Sequence, residues 1–218
     1  MSGNKIGLLG VPDGSLALPT GRLLRMCGIP IPEEKGRKYL FISEEFFPFD
    51  GLWVLRPQDV PLAVSDGKVV AGFSGMDWLI ESGLEAGLFV AATFPYSKAK
   101  MEAPKIVVFG KSGQKFHDTK KTIVYTEYPT LARRRFKNAK IVILHGATEG
   151  WVVAGENDFC VDLLDQGETA KANDLVSIGE PILVSPTILV VRKDSPFMEE
   201  INLFAKKLET AFASLVKE

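Results

Sequence analysis

Short apolar runs rich in β-branched residues alternate along this chain with segments of helical period, and that alternation restricts its possible folds more than any other feature. Lys5 to Val11 is followed by Leu16 to Met26, Lys68 to Phe73 by Met76 to Ser82, and Lys140 to His145 by a short segment after Gly146. A parallel strand must be reached by a crossover, usually a helix, so the pattern predicts an α/β architecture with largely parallel strands.

The pattern also divides. Between Phe94 and Lys120 the chain runs through Tyr-Ser-Lys-Ala-Lys, a strand at Lys105 to Phe109 and a polar Gly-Lys-Ser-Gly-Gln loop, which reads as a crossing into a second lobe. Beyond Pro181 the extended run Ile-Leu-Val-Ser-Pro-Thr-Ile-Leu-Val-Val-Arg predicts a return to the first. We expect lobe I at 1–94 plus 186–218, lobe II at 95–185, and a cleft between them. A closing helix is expected from Ser195 to about Val216, with Ser195-Pro196 as its start and Phe197, Ile201, Phe204, Leu208, Phe212 and Leu215 as its core stripe.

Charge and composition exclude several classes of function. Lys plus Arg number 26 against 27 Asp plus Glu, a formal charge of -1, so no global field favours nucleic acid or membrane, and any anion site must be local. No run reaches the ~18 apolar residues that span a bilayer. The start, Met-Ser-Gly-Asn-Lys, lacks the basic flank and the apolar stretch of roughly 7 to 15 residues of an export signal, so a cytoplasmic protein is expected. Cys27 and Cys160 sit among apolar neighbours and read as buried thiols. His117 and His145 form no metal spacing with each other or with the cysteines and read as structural, and Trp53, Trp78 and Trp151 read as core or cleft-wall residues.

Chemistry concentrates in Val161-Asp162-Leu163-Leu164-Asp165-Gln166-Gly167-Glu168-Thr169-Ala170-Lys171-Ala172-Asn173, an apolar strand ending in a polar, glycine-containing turn that opens a short helix. Such a turn aims backbone N–H groups and a helix N-terminus outward, in the form of a phosphate cradle. Gly167 permits close approach of an anion, Thr169 offers a hydroxyl, and Asp162 can accept hydrogen bonds from vicinal sugar hydroxyls. Alone, the pattern fits equally a unit that only caps its own helix.

Its companions point further. The cradle resembles the phosphoribosyl loop of the ATP phosphoribosyltransferase family at Asp162, Gly167, Thr169, Lys171 and Asn173. Leu55-Arg56-Pro57-Gln58-Asp59-Val60 is similar to the family's Leu-Arg-Pro-Lys-Asp-Ile, and Gly72-Phe73-Ser74-Gly75-Met76-Asp77 to its Gly-Ile-Thr-Gly-Arg-Asp. Thr126-Glu127-Tyr128-Pro129-Thr130-Leu131-Ala132-Arg133 resembles Thr-x-Tyr-Pro-Asn-Leu-x-Arg, and Gly146-Ala147-Thr148-Glu149 a Gly-Ala-Thr-Glu variant. The motifs keep the family's order from Lys5 to the last helix, so the chain resembles the short, catalytic-only form.

The resemblance implies a two-lobed fold like the type II periplasmic binding proteins and a Mg²⁺-dependent displacement at the first step of histidine biosynthesis, in which N1 of the adenine of ATP attacks C1 of phosphoribosyl pyrophosphate and pyrophosphate leaves. Asp165, Gln166, Gly167, Glu168 and Thr169 would hold the 5'-phosphate, Asp162 the ribose hydroxyls and an oxocarbenium-like centre, and Arg56 the leaving pyrophosphate. Asp77, Glu149 and Arg133 are carried over as cleft residues, and no metal site built by the protein alone is expected. It further implies a dimer assembling with a regulatory subunit resembling histidyl-tRNA synthetase.

Three departures mark this chain. Val11-Pro12-Asp13-Gly14-Ser15-Leu16 takes the place of the family's Pro-Lys-Gly-Arg/Ser-Leu, so Asp13 stands where a lysine is expected near pyrophosphate, with Gly14 and Ser15 beside it. At ~4 Å and an effective dielectric of ~20, that reversal costs on the order of 4 kcal/mol unless a cation intervenes. In the cradle, Gln166 replaces a hydroxyl residue and Glu168 adds negative charge. A rival reading, a cytoplasmic small-anion binding module on the same scaffold, rests on these departures.

Overall fold

A computed structural model of the chain describes residues 5–31, 39–97, 102–165 and 168–216, with backbone alone at 168 and 169. The chain divides into two compact units, Met1–Ala103 with Pro186–Glu218, and Pro104–Ser185.

The first unit is built on a sheet containing β1 (Leu8–Pro12), β2 (Leu40–Ile42), β3 (Gly51–Leu55), β4 (Ala71–Gly75), β5 (Leu88–Phe94) and β12 (Thr187–Arg192), in the order β2-β3-β1-β4-β12-β5. Its centre is parallel, β3 and β4 flanking β1, while β12 runs antiparallel to both β4 and β5. The helices are α1 (Ala17–Met26), α2 (Val60–Ser65), α3 (Met76–Ser82) and α7 (Met198–Leu215). On one face Leu9, Leu52, Phe73, Leu189 and Val191 meet Leu23 and Leu24 of α1 and Ile201, Phe204 and Leu208 of α7. On the other, Ile188 and Val190 meet Val60 and Val64 of α2 and Leu79 of α3. Cover on both faces is why these strands read as continuous apolar runs rather than alternating ones.

The expected stripe of α7 is the packed face, with Phe197, Phe212 and Leu215 partly buried against the same cluster. Its start differs from expectation. Met198 opens the helix, and the Ser195 hydroxyl accepts from Phe197 N at 3.3 Å in the preceding turn. The strand expected from Lys68 begins at Ala71, because Lys68 N donates to Ala63 O and closes the end of α2 instead. Pro19 lies in the first turn of α1, where its missing N–H removes no intrahelical bond, so the helix keeps its expected length despite Pro19 and Gly21.

The second unit contains β6 (Lys105–Lys111), β7 (Ile123–Thr126), β8 (Lys140–Ile143), β9 (Asp158–Leu164), β10 (Leu175–Ser177) and β11 (Leu183–Val184). Their order is β10-β6-β9-β7-β8, with β11 also on β6. Again the centre is parallel, β7 between β9 and β8, and β6 is antiparallel to β9. Helices α4 (Pro129–Arg135), α5 (Thr148–Ala154) and α6 (Glu168–Ala172) follow β7, β8 and β9 in turn. Val107, Phe109, Tyr125 and Cys160 pack against Val152 of α5 and Ala170 of α6, while Phe116 joins Phe136 and Phe159 at ring separations of 4.5 and 5.0 Å.

Both parallel centres place the first strand in the middle, with the second and third on opposite sides: β3-β1-β4 and β8-β7-β9. In such sheets the chain crosses over in opposite senses from the middle strand, and the carboxyl ends of the strands splay open beside it. That is where the sequence motifs sit.

Candidate functional site

In the second unit the carboxyl ends of β7, β8 and β9 gather Glu127, His145, Thr148, Glu149 and Asp162. Parallel register does the gathering, because Thr126 pairs with Ile143 on one side and Val161 on the other. The next residue or two on each strand therefore emerge together.

Asp162 is the best anchored of them. The hydroxyl of Thr148, itself fully buried, donates to Asp162 Oδ2 at 2.5 Å, and Leu163 N donates to Oδ1 at 2.7 Å. Burial pushes the Asp162 carboxyl above its ordinary range, the hydrogen bonds from Thr148 and Leu163 pull it back, and the charge of Glu149 adds a smaller upward push. Thr148 reaches Asp162 because α5 begins there, after Gly146 at φ 119° and Ala147 at φ 51°. The buried Thr126 hydroxyl donates to Val161 O at 2.8 Å and accepts from Tyr128 N at 2.8 Å, so it fixes β9 one residue before Asp162 and turns the chain into α4. The turn after β8 thus holds the Asp162 carboxylate, and the turn after β7 holds the residue before it.

Glu127, of the Thr-Glu-Tyr-Pro motif, joins the site through the fold rather than through any expected role. Burial first, then the charges of Asp162 and Glu149, raise its carboxyl above the ordinary value, with His145 acting the other way. His145, read as structural, is exposed and stands close enough to count in that balance. The signal that would have found both is positional: each follows the carboxyl end of a parallel strand, β7 for Glu127 and β8 for His145.

Of the expected phosphate-holding residues, Gln166 and Gly167 lie outside the described residues, and for Glu168 and Thr169 only the backbone, the first two positions of α6, is described. Asp165 is half-buried just before them. Arg133, Arg134 and Arg135 are all exposed on α4, with Arg135 over the ring of Phe136 at 5.7 Å. Trp151 is 53% exposed, its ring 5.4 Å from that of Tyr125 and tilted 37° to it. His117 is likewise exposed, beside a groove of about 430 Å³ at the opposite, amino ends of β7 and β9, lined also by Gln114, Lys115, Lys121 and Asn157.

In the first unit, β1 and β3 run parallel with Pro12 opposite Leu55, which sets Asp13 beside Arg56. Asp13 Oδ2 lies 3.4 Å from Arg56 Nε, so the negative charge expected to oppose an anion is first of all a partner for the arginine expected to bind it. Asp13 N donates to Leu55 O at 2.8 Å. Gly14 has φ +63° and passes beneath the guanidinium, a Cβ there falling 4.0 Å from Arg56 Nη1. Ser15 is exposed.

The other two motifs of this unit hold each other. The Ser74 hydroxyl donates to Pro57 O at 2.7 Å, tying the end of β4 to the turn after Arg56. β1 and β4 come together through glycines, since a Cβ on Gly72 would meet Val60 Cγ1 at 2.6 Å and one on Gly10 would sit 3.3 Å from Gly72 Cα. Asp77 is buried, 4% exposed, in the first turn of α3.

Among the described residues no group of three or more His, Cys, Asp or Glu is arranged to hold a metal ion. What the first unit offers instead is an orphaned atom: among the described residues, Asp13 Oδ1 is buried with no hydrogen-bond partner. A lone carboxylate oxygen suits a hydrated divalent cation that brings most of its ligands with a phosphate substrate. The thiols are inert: Cys27 and Cys160 are both free and buried, and burial pushes Cys160 up to about 12.

Comparison with known proteins agrees with the motifs. The family model described as ATP phosphoribosyltransferase matches residues 56–210. An ATP phosphoribosyltransferase of Thermotoga neapolitana is 31% identical over 207 residues, covering 92% of this chain and 92% of that one. One from Pyrococcus furiosus is 28% identical, covering 91% and 95%. Against the longer enzyme of Nitratidesulfovibrio vulgaris (strain Miyazaki F), 30% identical, the match covers 88% of this chain and 66% of the relative. Among solved structures, an ATP phosphoribosyl transferase (HisG:HisZ) complex from Thermotoga maritima matches with TM-score 0.78 at 24% identity, over 96% of this chain and all of that one. The GluR0 ligand-binding core shares the fold at TM-score 0.60 and 11% identity, over 99% of this chain and 96% of that one.

Proposed function

The chain belongs to the ATP phosphoribosyltransferase family, and from that premise we propose that it joins ATP to phosphoribosyl pyrophosphate, giving N1-phosphoribosyl-ATP and pyrophosphate, at the first step of histidine biosynthesis. The observation that carries this reading is the convergence on Asp162. It lies in the carboxyl-terminal half of the strand of the phosphoribosyl motif, receives the hydroxyl of Thr148 from the Gly-Ala-Thr-Glu motif, and sits one residue from the contact made by Thr126 of the Thr-Glu-Tyr-Pro motif.

The bond from C1 to the pyrophosphate oxygen breaks as the bond from adenine N1 to C1 forms, and positive charge develops on the sugar. Asp162 accepts hydrogen bonds from the ribose hydroxyls and opposes that charge. It does so from a fixed position, because Thr148 and Leu163 hold both of its oxygens, and a preorganised charge needs no rearrangement as the reaction proceeds. Asp162 works as the anion, so its raised carboxyl means that function is lost as pH falls. The turn from Asp165 to Thr169 grips the 5'-phosphate, and Glu149, Asp77 and Arg133 orient the substrates. Arg56 offsets charge on the leaving pyrophosphate: at 65% side-chain exposure and with only a 3.4 Å contact to Asp13, it can exchange that partner for a phosphate. A divalent metal accompanies the phosphates and neutralises part of their charge; we take it to be Mg²⁺.

The fit to a HisG:HisZ complex over the whole length of that chain supports action as a short-form catalytic subunit, dimeric and regulated by a synthetase-like partner. Among the described residues no helix is long and apolar enough to cross a membrane, which accords with work in the cytoplasm. The test is to combine purified protein with ATP, phosphoribosyl pyrophosphate and Mg²⁺, with and without that partner, and follow the ultraviolet absorbance of the adduct. Product that disappears in Asp162→Ala supports the reading; no product from the folded protein under either condition overturns it.

A further inference from the structure

The loop after β1 carries a negative charge where its family resemblance calls for a positive one, and the two oxygens of that carboxylate are in different situations. Asp13 Oδ2 faces Arg56 Nε at 3.4 Å, whereas Oδ1 is buried with no hydrogen-bond partner among the described residues. A carboxylate oxygen shut off from water without a donor is in deficit until a cation reaches it.

Arg56 is not built to be that cation. It approaches one oxygen through one nitrogen, beyond the ~2.7–2.9 Å of a strong charged hydrogen bond. Its side chain is 65% exposed, so the pair is weak and the guanidinium is free to turn.

We propose that Asp13 is a ligand of the divalent cation that accompanies the pyrophosphate group, so that here a carboxylate and a metal ion together supply the positive charge that a lysine supplies at this place in the family pattern. The inference rests on reading this loop as the pyrophosphate site. Mg²⁺ commonly takes one or two carboxylates and fills its remaining positions with phosphate oxygens and water, so one aspartate is enough and no larger cluster is required. The exchange leaves no charge alone. Arg56 gives up Asp13 for a phosphate, which its planar fork can meet with two hydrogen bonds, and Asp13 gives up Arg56 for the metal. Asp13 is then a specificity device: it disfavours metal-free pyrophosphate through like-charge repulsion and favours the metal-bound form.

Calorimetric titration of the full chain with inorganic pyrophosphate tests this, in EDTA and in excess Mg²⁺, for wild type, Asp13→Asn and Asp13→Lys, each checked for folding by circular dichroism. Mg²⁺ is expected to tighten binding to wild type by roughly tenfold to a hundredfold more than it does for Asp13→Asn. Asp13→Lys is expected to bind metal-free pyrophosphate more tightly than wild type and to gain least from Mg²⁺. Pyrophosphate binding with the same Mg²⁺ effect in all three proteins overturns the inference and leaves the transferase reading standing. No pyrophosphate binding in any of them, with or without metal, removes the site on which both rest.

Discussion

Replacing Thr148 with valine isolates the contact on which the second unit's site depends. Thr148 is fully buried and its hydroxyl donates to Asp162 Oδ2 at 2.5 Å, while Leu163 N holds Oδ1 independently. Valine keeps the shape of the side chain, so little cavity forms, but one oxygen of a buried, charged carboxylate loses its donor. Such hydrogen bonds contribute ~1.5–3 kcal/mol, and that is the expected loss of stability at neutral pH. The loss must also depend on pH in a particular direction. The Thr148 bond lowers the Asp162 carboxyl against burial, so without it the folded-state pKa rises further above its unfolded value. The difference between the two proteins therefore widens as pH rises through the wild-type titration and narrows in acid, where both carboxyls are protonated. Urea unfolding can be followed through Trp151, which lies on the same helix with its ring 5.4 Å from that of Tyr125, in a background carrying Trp53→Phe and Trp78→Phe. Thr148→Ser, which restores the hydroxyl, should recover most of the loss and the phosphoribosyl pyrophosphate affinity together. A difference below about 0.5 kcal/mol at pH 7, or one that does not change with pH, refutes the assignment of Thr148 as the residue positioning Asp162.

Glu127→Gln should stabilise the protein at pH 7 and do nothing near pH 4. Its carboxyl is raised by burial and by Asp162 and Glu149, so the folded state is penalised as pH climbs above the unfolded value of ~4.3; an equal shift in urea midpoint at both pH values would contradict this. Gly72→Ala should cost ~1–3 kcal/mol by overpacking, because its Cβ would meet Val60 Cγ1 at 2.6 Å where β1 and β4 close together. A variant as stable as wild type in urea would show that this contact yields freely.

Local chemistry made most of the architecture legible. Met76–Ser82 is a helix where expected because Gly75 precedes it in an extended conformation and Gly83, at φ 71°, ends it. Boundaries failed where a local signal was satisfied by something smaller than a helix, as at Ser195, whose hydroxyl serves a turn. The site divides in the same way. Asp162, Glu149 and Arg56 stand in motifs and could be named from sequence. The pairing of Asp13 with Arg56, and the approach of Glu127 to Asp162 and of His145 to Glu127, come from parallel registers joining distant segments. No window of sequence contains such a register, although the rule that parallel strands open at their carboxyl ends would have drawn attention to the residues following β7 and β8.

Where the sugar lies decides the role of Asp162, and a crystal structure with phosphoribosyl pyrophosphate and Mg²⁺ measures that directly. Both ribose hydroxyls are expected within about 3 Å of the Asp162 carboxylate, with the 5'-phosphate against the amides that open α6. Ligand bound elsewhere, with Asp162 still held only by Thr148 and Leu163, would contradict that role.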